Sequence, residues 1–172
     1  MNTTKEHRPR YQNIEGQLQS QYWFNGSNLY WNSYPVNGAD LKSFVFYLGS
    51  FAKDKNNCYI QNSKIRDANP LTFKALNYAY AKDDKSVWVL TGKIKDVDPE
   101  TFEVCDDGIK DLGNGLYAPY GYAKDRINVY YFNYQGKAKL VKKANPELFS
   151  SFNDSYFGKP ESVRDFSFYS KR

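Results

Sequence analysis

The sequence predicts a β-rich α+β fold, in which tandem repeats of a β-hairpin plus a short helix stack into one domain. Three observations predict it. Aromatic residues are abundant, with 16 Tyr, 12 Phe and 3 Trp in 172 residues against one Met and one His, and such residues favour pleated, half-buried strands. A ten-residue motif recurs, starting at Phe51, Tyr80 and Tyr122. A second motif follows each copy, starting at Ala68, Val97 and Ala144. A net charge of +5 with 25% charged and 41% hydrophobic residues excludes a disordered or collagenous chain, and no apolar run is long enough for a membrane-spanning helix.

The first 21 residues are polar and have no apolar run behind their positive charges, unlike a secretory signal. Residues 1–20 are expected to form a flexible arm. The expected location is cytoplasmic as the sequence is written, or periplasmic or envelope if a signal segment precedes Met1.

The repeat then sets the organisation. FAKDKNNCYI at Phe51 and YAKDDKSVWV at Tyr80 start 29 residues apart, and YAKDRINVYY at Tyr122 starts 42 further on. ANPLTF at Ala68 and VDPETF at Val97 share the 29-residue spacing, and ANPELF begins at Ala144. Twenty-nine residues before the first copies lie YWFNGSNLYW and ADLKSF, an eroded copy, while YFGKPESV from Tyr156 is a truncated one. One repeat domain, residues 21–172, is therefore expected, with units at 22–50, 51–79, 80–121 and 122–155 and a remnant at 156–172.

Each unit has a local logic. Tyr80–Lys82 and Val87–Leu90 are β-prone runs around Asp83–Ser86, where an Asp opens the turn by accepting bonds from the amides ahead of it. Gly92-Lys93 reads as another turn. Asp98-Pro99-Glu100 then reads as a helix start of about two turns, with Asp as N-cap and Pro in the first helical position. Asn69-Pro70 and Asn145-Pro146 repeat this start, and Asp40 is a weaker version.

Three recurring slots are expected in the core. Tyr22, Phe51, Tyr80, Tyr122 and Tyr156 occupy the first. The second holds Tyr30, Tyr59, Trp88 and Tyr130, and the third Phe44, Phe73, Phe102 and Phe149. A unit this small cannot bury its apolar face alone, so neighbours should pack together.

The units resemble the DKNYY family of bacterial repeat proteins, through AKDKNNCYI at Ala52, AKDDKSVWV at Ala81 and AKDRINVYY at Ala123, with NPLTF, DPETF and NPELF behind them. The resemblance departs in the first and last copies and in the long third spacing. It implies a bacterial source, a β-rich repeat fold and a secreted, envelope-associated or partner-binding role. It implies no catalytic residue.

Catalytic and metal chemistry find little support. His7 lies in the polar arm, away from any scaffold for nucleophilic catalysis. Cys58 and Cys105 replace apolar residues of the repeat and read as small buried hydrophobes. The turn residues Asp54, Asp83 and Asp125 lack a calcium-loop pattern and read as turn formers. No phosphate-binding glycine motif is present, and no cofactor is expected. Lysines lie among the aromatics, but they are spread through every repeat, which disfavours nucleic acid as a partner.

The best site candidate is the insertion that lengthens the third spacing, DDGIKDLGNGLYAPYG at residues 106–121. From Asp96 to Asp111 there are seven acids and one base, Lys110, on an otherwise basic chain. The expected partner-binding residues are Asp106, Asp107, Asp111, Tyr117 and Tyr120, because functional side chains concentrate on loops held by a rigid scaffold. A smaller insertion of about five residues lies near Tyr131–Gln135. The leading expectation is a non-enzymatic protein-binding module, in its sharper form an immunity or inhibitor protein that masks a bacterial toxin. An envelope or secreted structural repeat is the alternative, and a single-strand nucleic-acid binder the third.

Overall fold

The computed structural model describes residues 21–47, 49–114 and 116–149. The expected N-terminal arm and the truncated copy from Tyr156 lie outside the described residues. Contacts divide the described residues into two compact units, one of residues 21–75 with Ala81–Asp84, the other of Leu76–Tyr80 with residues 85–149.

Every regular element among the described residues is a strand. The first copy forms the sheet β1 (Tyr22–Phe24), β2 (Leu29–Trp31) and β3 (Tyr34–Pro35). The second forms β4 (Val45–Phe46), β5 (Phe51–Lys53), β6 (Cys58–Ile60) and β7 (Ser63–Ile65), a meander in sequence order. The third repeats it as β8 (Lys74–Ala75), β9 (Tyr80–Lys82), β10 (Val87–Val89) and β11 (Gly92–Lys93). In the fourth, β12 (Glu103–Val104) is followed by the inserted strands β13 (Ile109–Gly113) and β14 (Leu116–Pro119), which pair only with each other. The sheet then resumes with β15 (Gly121–Lys124), β16 (Val129–Phe132) and β17 (Lys139–Leu140).

The expected α+β class with short helices is thus incorrect. The Asx-Pro segments close one turn and stop: the Phe73 amide reaches the Asn69 carbonyl at 2.9 Å, and Phe149 reaches Asn145 at 3.0 Å. One turn repays little of the nucleation penalty of a helix. The buried Phe that ends each turn leads directly into β8, or into its counterparts β4 and β12, which pair with the next hairpin. Gly92-Lys93 is likewise not a turn but strand β11, in register with Trp88 and Val89.

The hairpin expectation holds, and its physical basis is visible. Asp54 accepts the Asn56 and Asn57 amides at 2.7 Å on one carboxylate oxygen. Asp125 does the same for Ile127 and Asn128, at 2.8 and 2.7 Å. The other oxygen reaches back to the preceding copy's Asx turn. Asp54 accepts the Asp40 amide at 2.9 Å, Asp83 that of Asn69 at 2.8 Å and Asp125 that of Asp98 at 3.0 Å. Tyr59 and Tyr130 donate their hydroxyls to the same oxygens at 2.6 and 2.7 Å. The turn carboxylate therefore shapes its own hairpin and staples it to its neighbour.

The core slots interlock in the same direction. Phe44 lies between Tyr22, at 5.5 Å between ring centroids, and Tyr59, at 5.6 Å. In the other unit Phe102 lies between Tyr80, at 5.6 Å, and Tyr130, at 5.8 Å. Each triad joins one copy's first and third slots to the next copy's second. All the named slot residues among those described are buried except Tyr30, which is half-buried and stacks on Trp23 at 4.8 Å. The outer strand of each sheet carries Pro35, Lys64, Lys93 or Lys139, residue types that discourage edge-to-edge association.

A left-handed residue precedes each Asx turn by two positions: Gly38, Asp67, Asp96 and Lys143, at φ 68°, 64°, 53° and 62°. Gly and Asp tolerate that conformation far better than Lys. Exposed Lys143 is therefore the strained copy, and Lys143→Gly is expected to stabilise the protein by about 0.5–1 kcal/mol, measured by urea denaturation.

Candidate functional site

The inserted residues form a compact hairpin on a buried base. Asp106 is 8% exposed. One of its carboxylate oxygens accepts the Gly108 amide at 2.8 Å, and the other accepts the Tyr122 amide at 2.7 Å. A Cβ on Gly121 would collide with this carboxylate, so the residue that succeeds the hairpin must be small. Asn77 closes the base from the preceding copy. Its side-chain amide donates to the Asp106 carbonyl at 3.0 Å, while its carbonyl oxygen accepts the Ala79 and Tyr80 amides at 2.9 Å. The Tyr80 hydroxyl adds a bond to the Gly121 carbonyl at 2.9 Å. These buried bonds hold the ends of the insertion at a defined place on its repeat.

The five expected contact residues divide by position. Asp106 faces inward, as the anchor. Asp107 is exposed, and its carboxylate accepts the Ile109 amide at 3.2 Å. The backbone of Asp111 pairs with Tyr117, which is half-buried; the Asp111 side chain lies outside the described residues. Tyr120 is half-buried, packs edge-on against Tyr131 at 5.2 Å and lies under the Lys110 ammonium at 5.1 Å. The structure therefore brings Asp106 and Tyr120 to the base of the hairpin, and Asp111 and Tyr117 opposite each other along it.

Two residues outside that set dominate the tip. The register slips between Asp111 and Gly113, leaving Leu112 as the extra residue of a β-bulge. A bulge re-aims the side chain it contains, and Leu112 is 46% exposed. Leu116, opposite Gly113, is 62% exposed. The sequence carried a signal for both, an apolar residue on each side of Gly113-Asn114-Gly115 with no core slot of the repeat to fill.

The two cysteines and the turn carboxylates Asp54 and Asp125 are committed to structure. Burial raises the thiols of Cys58 and Cys105 to about 12, so both stay protonated at neutral pH, and both are free of disulfides. Burial favours the neutral form of Asp54 and Asp125, but the Tyr59 or Tyr130 hydroxyl and the turn amides outweigh it, holding both carboxyls below their usual range. Among the described residues no three His, Cys, Asp or Glu side chains gather as a metal site. No helix there is long and apolar enough to cross a membrane.

The family model of the DKNYY family matches residues 22–159. The chain belongs to the DKNYY family. The match takes in the four DKNYY copies and the hairpin inserted into the fourth sheet. No curated protein and no solved structure matches the chain.

Asp106 and Asp107 are adjacent acids in different settings, which makes a direct comparison available. Asp106→Ala removes an acceptor from two buried amides and is expected to destabilise the protein by about 1–3 kcal/mol. Asp107→Ala should stay within about 0.5 kcal/mol of wild type. Urea denaturation measures both, and faster amide exchange across Ile109–Pro119 should accompany the first change alone.

Proposed function

We propose that this DKNYY protein is a non-enzymatic protein-binding module whose contact element is the inserted hairpin. The observation that carries the reading is the exposed pair Leu112 and Leu116, presented by a β-bulge on a hairpin with a buried base. Leu112 and Leu116 are 46% and 62% exposed, so covering what remains in water recovers about 1–2 kcal/mol each, and a partner's surface supplies that cover. The base is ordered before binding, which lowers the entropic penalty of forming the interface.

The acidic run supports a partner with basic groups around an apolar depression. Asp107 lies exposed near the hairpin base, where electrostatic attraction would orient the encounter. Asp106 contributes by holding the hairpin. In the sharper reading the partner is a bacterial toxin and the protein is its immunity or inhibitor protein, occupying a surface that the toxin needs. The residues are those of a scaffold: buried carboxylates spent on amides, protonated thiols and packed aromatics.

The test uses the product of the neighbouring gene as candidate partner. The wild-type protein should bind it in a calorimetric titration, and Leu112→Asp with Leu116→Asp should weaken that affinity at least about tenfold without changing the melting temperature. Wild-type affinity in the double variant would remove the hairpin from the interface. Absence of binding by the wild-type protein would remove this partner and with it the immunity reading.

A further inference from the structure

The smaller insertion builds a second feature. Residues 133–138 lengthen the connection between β16 and β17 and form one wall of a groove of about 340 Å³. The Thr91 hydroxyl donates to the Gly136 carbonyl at 2.5 Å, clipping the insertion to the turn between β10 and β11. Tyr134 and Ala138 pack against the core of the same unit, and the opposite wall comes from residues 92–96. The groove is thus held open by a side-chain clip and by core packing.

Its lining is amphiphilic. Ile94, Ala138 and Leu140 supply apolar surface, while Lys93, Lys95 and Lys137 supply three exposed ammonium groups. Among the described residues no side-chain hydrogen bond or ion pair engages these three ammonium groups, in contrast to those of Lys53, Lys55 and Lys124. The only acid of the lining is Asp96, so the groove carries an excess of two positive charges. Tyr130, below it, uses its hydroxyl on Asp125. Three exposed lysines beside apolar surface, in a space at the lower end of small-molecule sites, suit a small organic anion better than a polymer.

We infer that the groove between β11 and the second insertion is a binding site for a small organic phosphate or a similar dianion bearing an apolar body. The dianionic group lies among Lys93, Lys95 and Lys137, and the body rests on Ile94 and Leu140. This site is independent of the hairpin and of any protein partner.

The experiment is an NMR titration of the full chain with phenyl phosphate, with phenol and inorganic phosphate in parallel. Phenyl phosphate should move the amides of Lys93, Lys95 and Ala138 saturably, with an affinity of about 1 mM or tighter. Phenol should leave them in place, and inorganic phosphate should bind about tenfold more weakly. Lys93→Gln with Lys137→Gln should weaken phenyl phosphate at least about tenfold, whereas Lys142→Gln with Lys143→Gln, outside the groove, should change it by less than about twofold. Thr91→Val keeps every lysine but releases the clip, and it should weaken binding several-fold, separating a built groove from diffuse charge. The inference is overturned if phenyl phosphate moves these amides no more than phenol does, or if the Lys142 and Lys143 changes matter as much as the groove lysines. Tighter binding of an oligothymidylate, spread over lysines in all copies, would overturn it in favour of a nucleic-acid surface.

Discussion

The structure depends on one interaction, the buried carboxylate that opens the hairpin turn of the second, third and fourth copies and also bonds the preceding copy. Strands of two to four residues make few ladder bonds, and such short sheets are marginal by themselves. Asp54, Asp83 and Asp125 compensate by acting at two scales. Each is 2–3% exposed, and each accepts the amide of an Asx residue from the copy before it. Withdrawing such an acceptor leaves buried donors without partners, which is far more damaging than losing a solvated bond. The same chemistry extends outward: the amides of Lys55, Asp84 and Arg126, one residue further on, donate to Ser43, Thr72 and Thr101 of the preceding turn. Local turn formation and contact between copies are consequently one event within each unit.

The aromatic excess is a consequence of this arrangement. A triad such as Tyr80, Phe102 and Tyr130 spans two copies, so every added copy brings residues that pack on the last one. Tyrosine in the first slot adds a polar handle. Tyr22 donates to the Ser50 carbonyl and Tyr80 to the Gly121 carbonyl, each just before the next copy's first slot. Phe51 lacks the hydroxyl and packs against Phe73 instead, at 6.3 Å. The two insertions depart from the repeat, and each adds a surface feature of its own. One presents leucines on a bulged hairpin, and the other frames a lysine-lined groove.

Much of the fold was legible because the repeat made position meaningful. The 29-residue spacing located the hairpins, the buried slots and the cysteines in Val87-like and Leu76-like positions. The helix expectation fails for a reason that is also local. Asp98-Pro99 carries the signal for a helix start, but that signal sets only the first turn, and the pairing of Glu103–Val104 with a distant strand overrides it beyond that turn. The pairing of β12 with β15 spans the inserted hairpin, and no nearby residue announces it. The candidate loop was legible as an insertion, whereas its polarity was not. Asp106 and Asp107 are indistinguishable as neighbours in sequence, and burial alone separates the anchor from the exposed acid. Leu112 became conspicuous through a bulge, a register effect set by the pairing of the two strands.

The most direct test of the staple is the pH dependence of stability in Asp54→Asn with Asp125→Asn. Both carboxyls titrate lower in the folded protein than the value of about 3.9 expected for an unfolded chain. Their stabilisation is therefore complete above that value and is lost as the pH falls through it toward their folded values. An amide keeps one acceptor for the turn but presents a donor to the Asp40 and Asp98 amides, and about 1–3 kcal/mol should be lost at each site at pH 7. Urea denaturation from pH 7 to pH 2.5 should show a wild-type protein that weakens steeply below about pH 4 and a variant that starts lower and weakens less. A variant with wild-type stability at pH 7 and an unchanged acid slope would contradict the account.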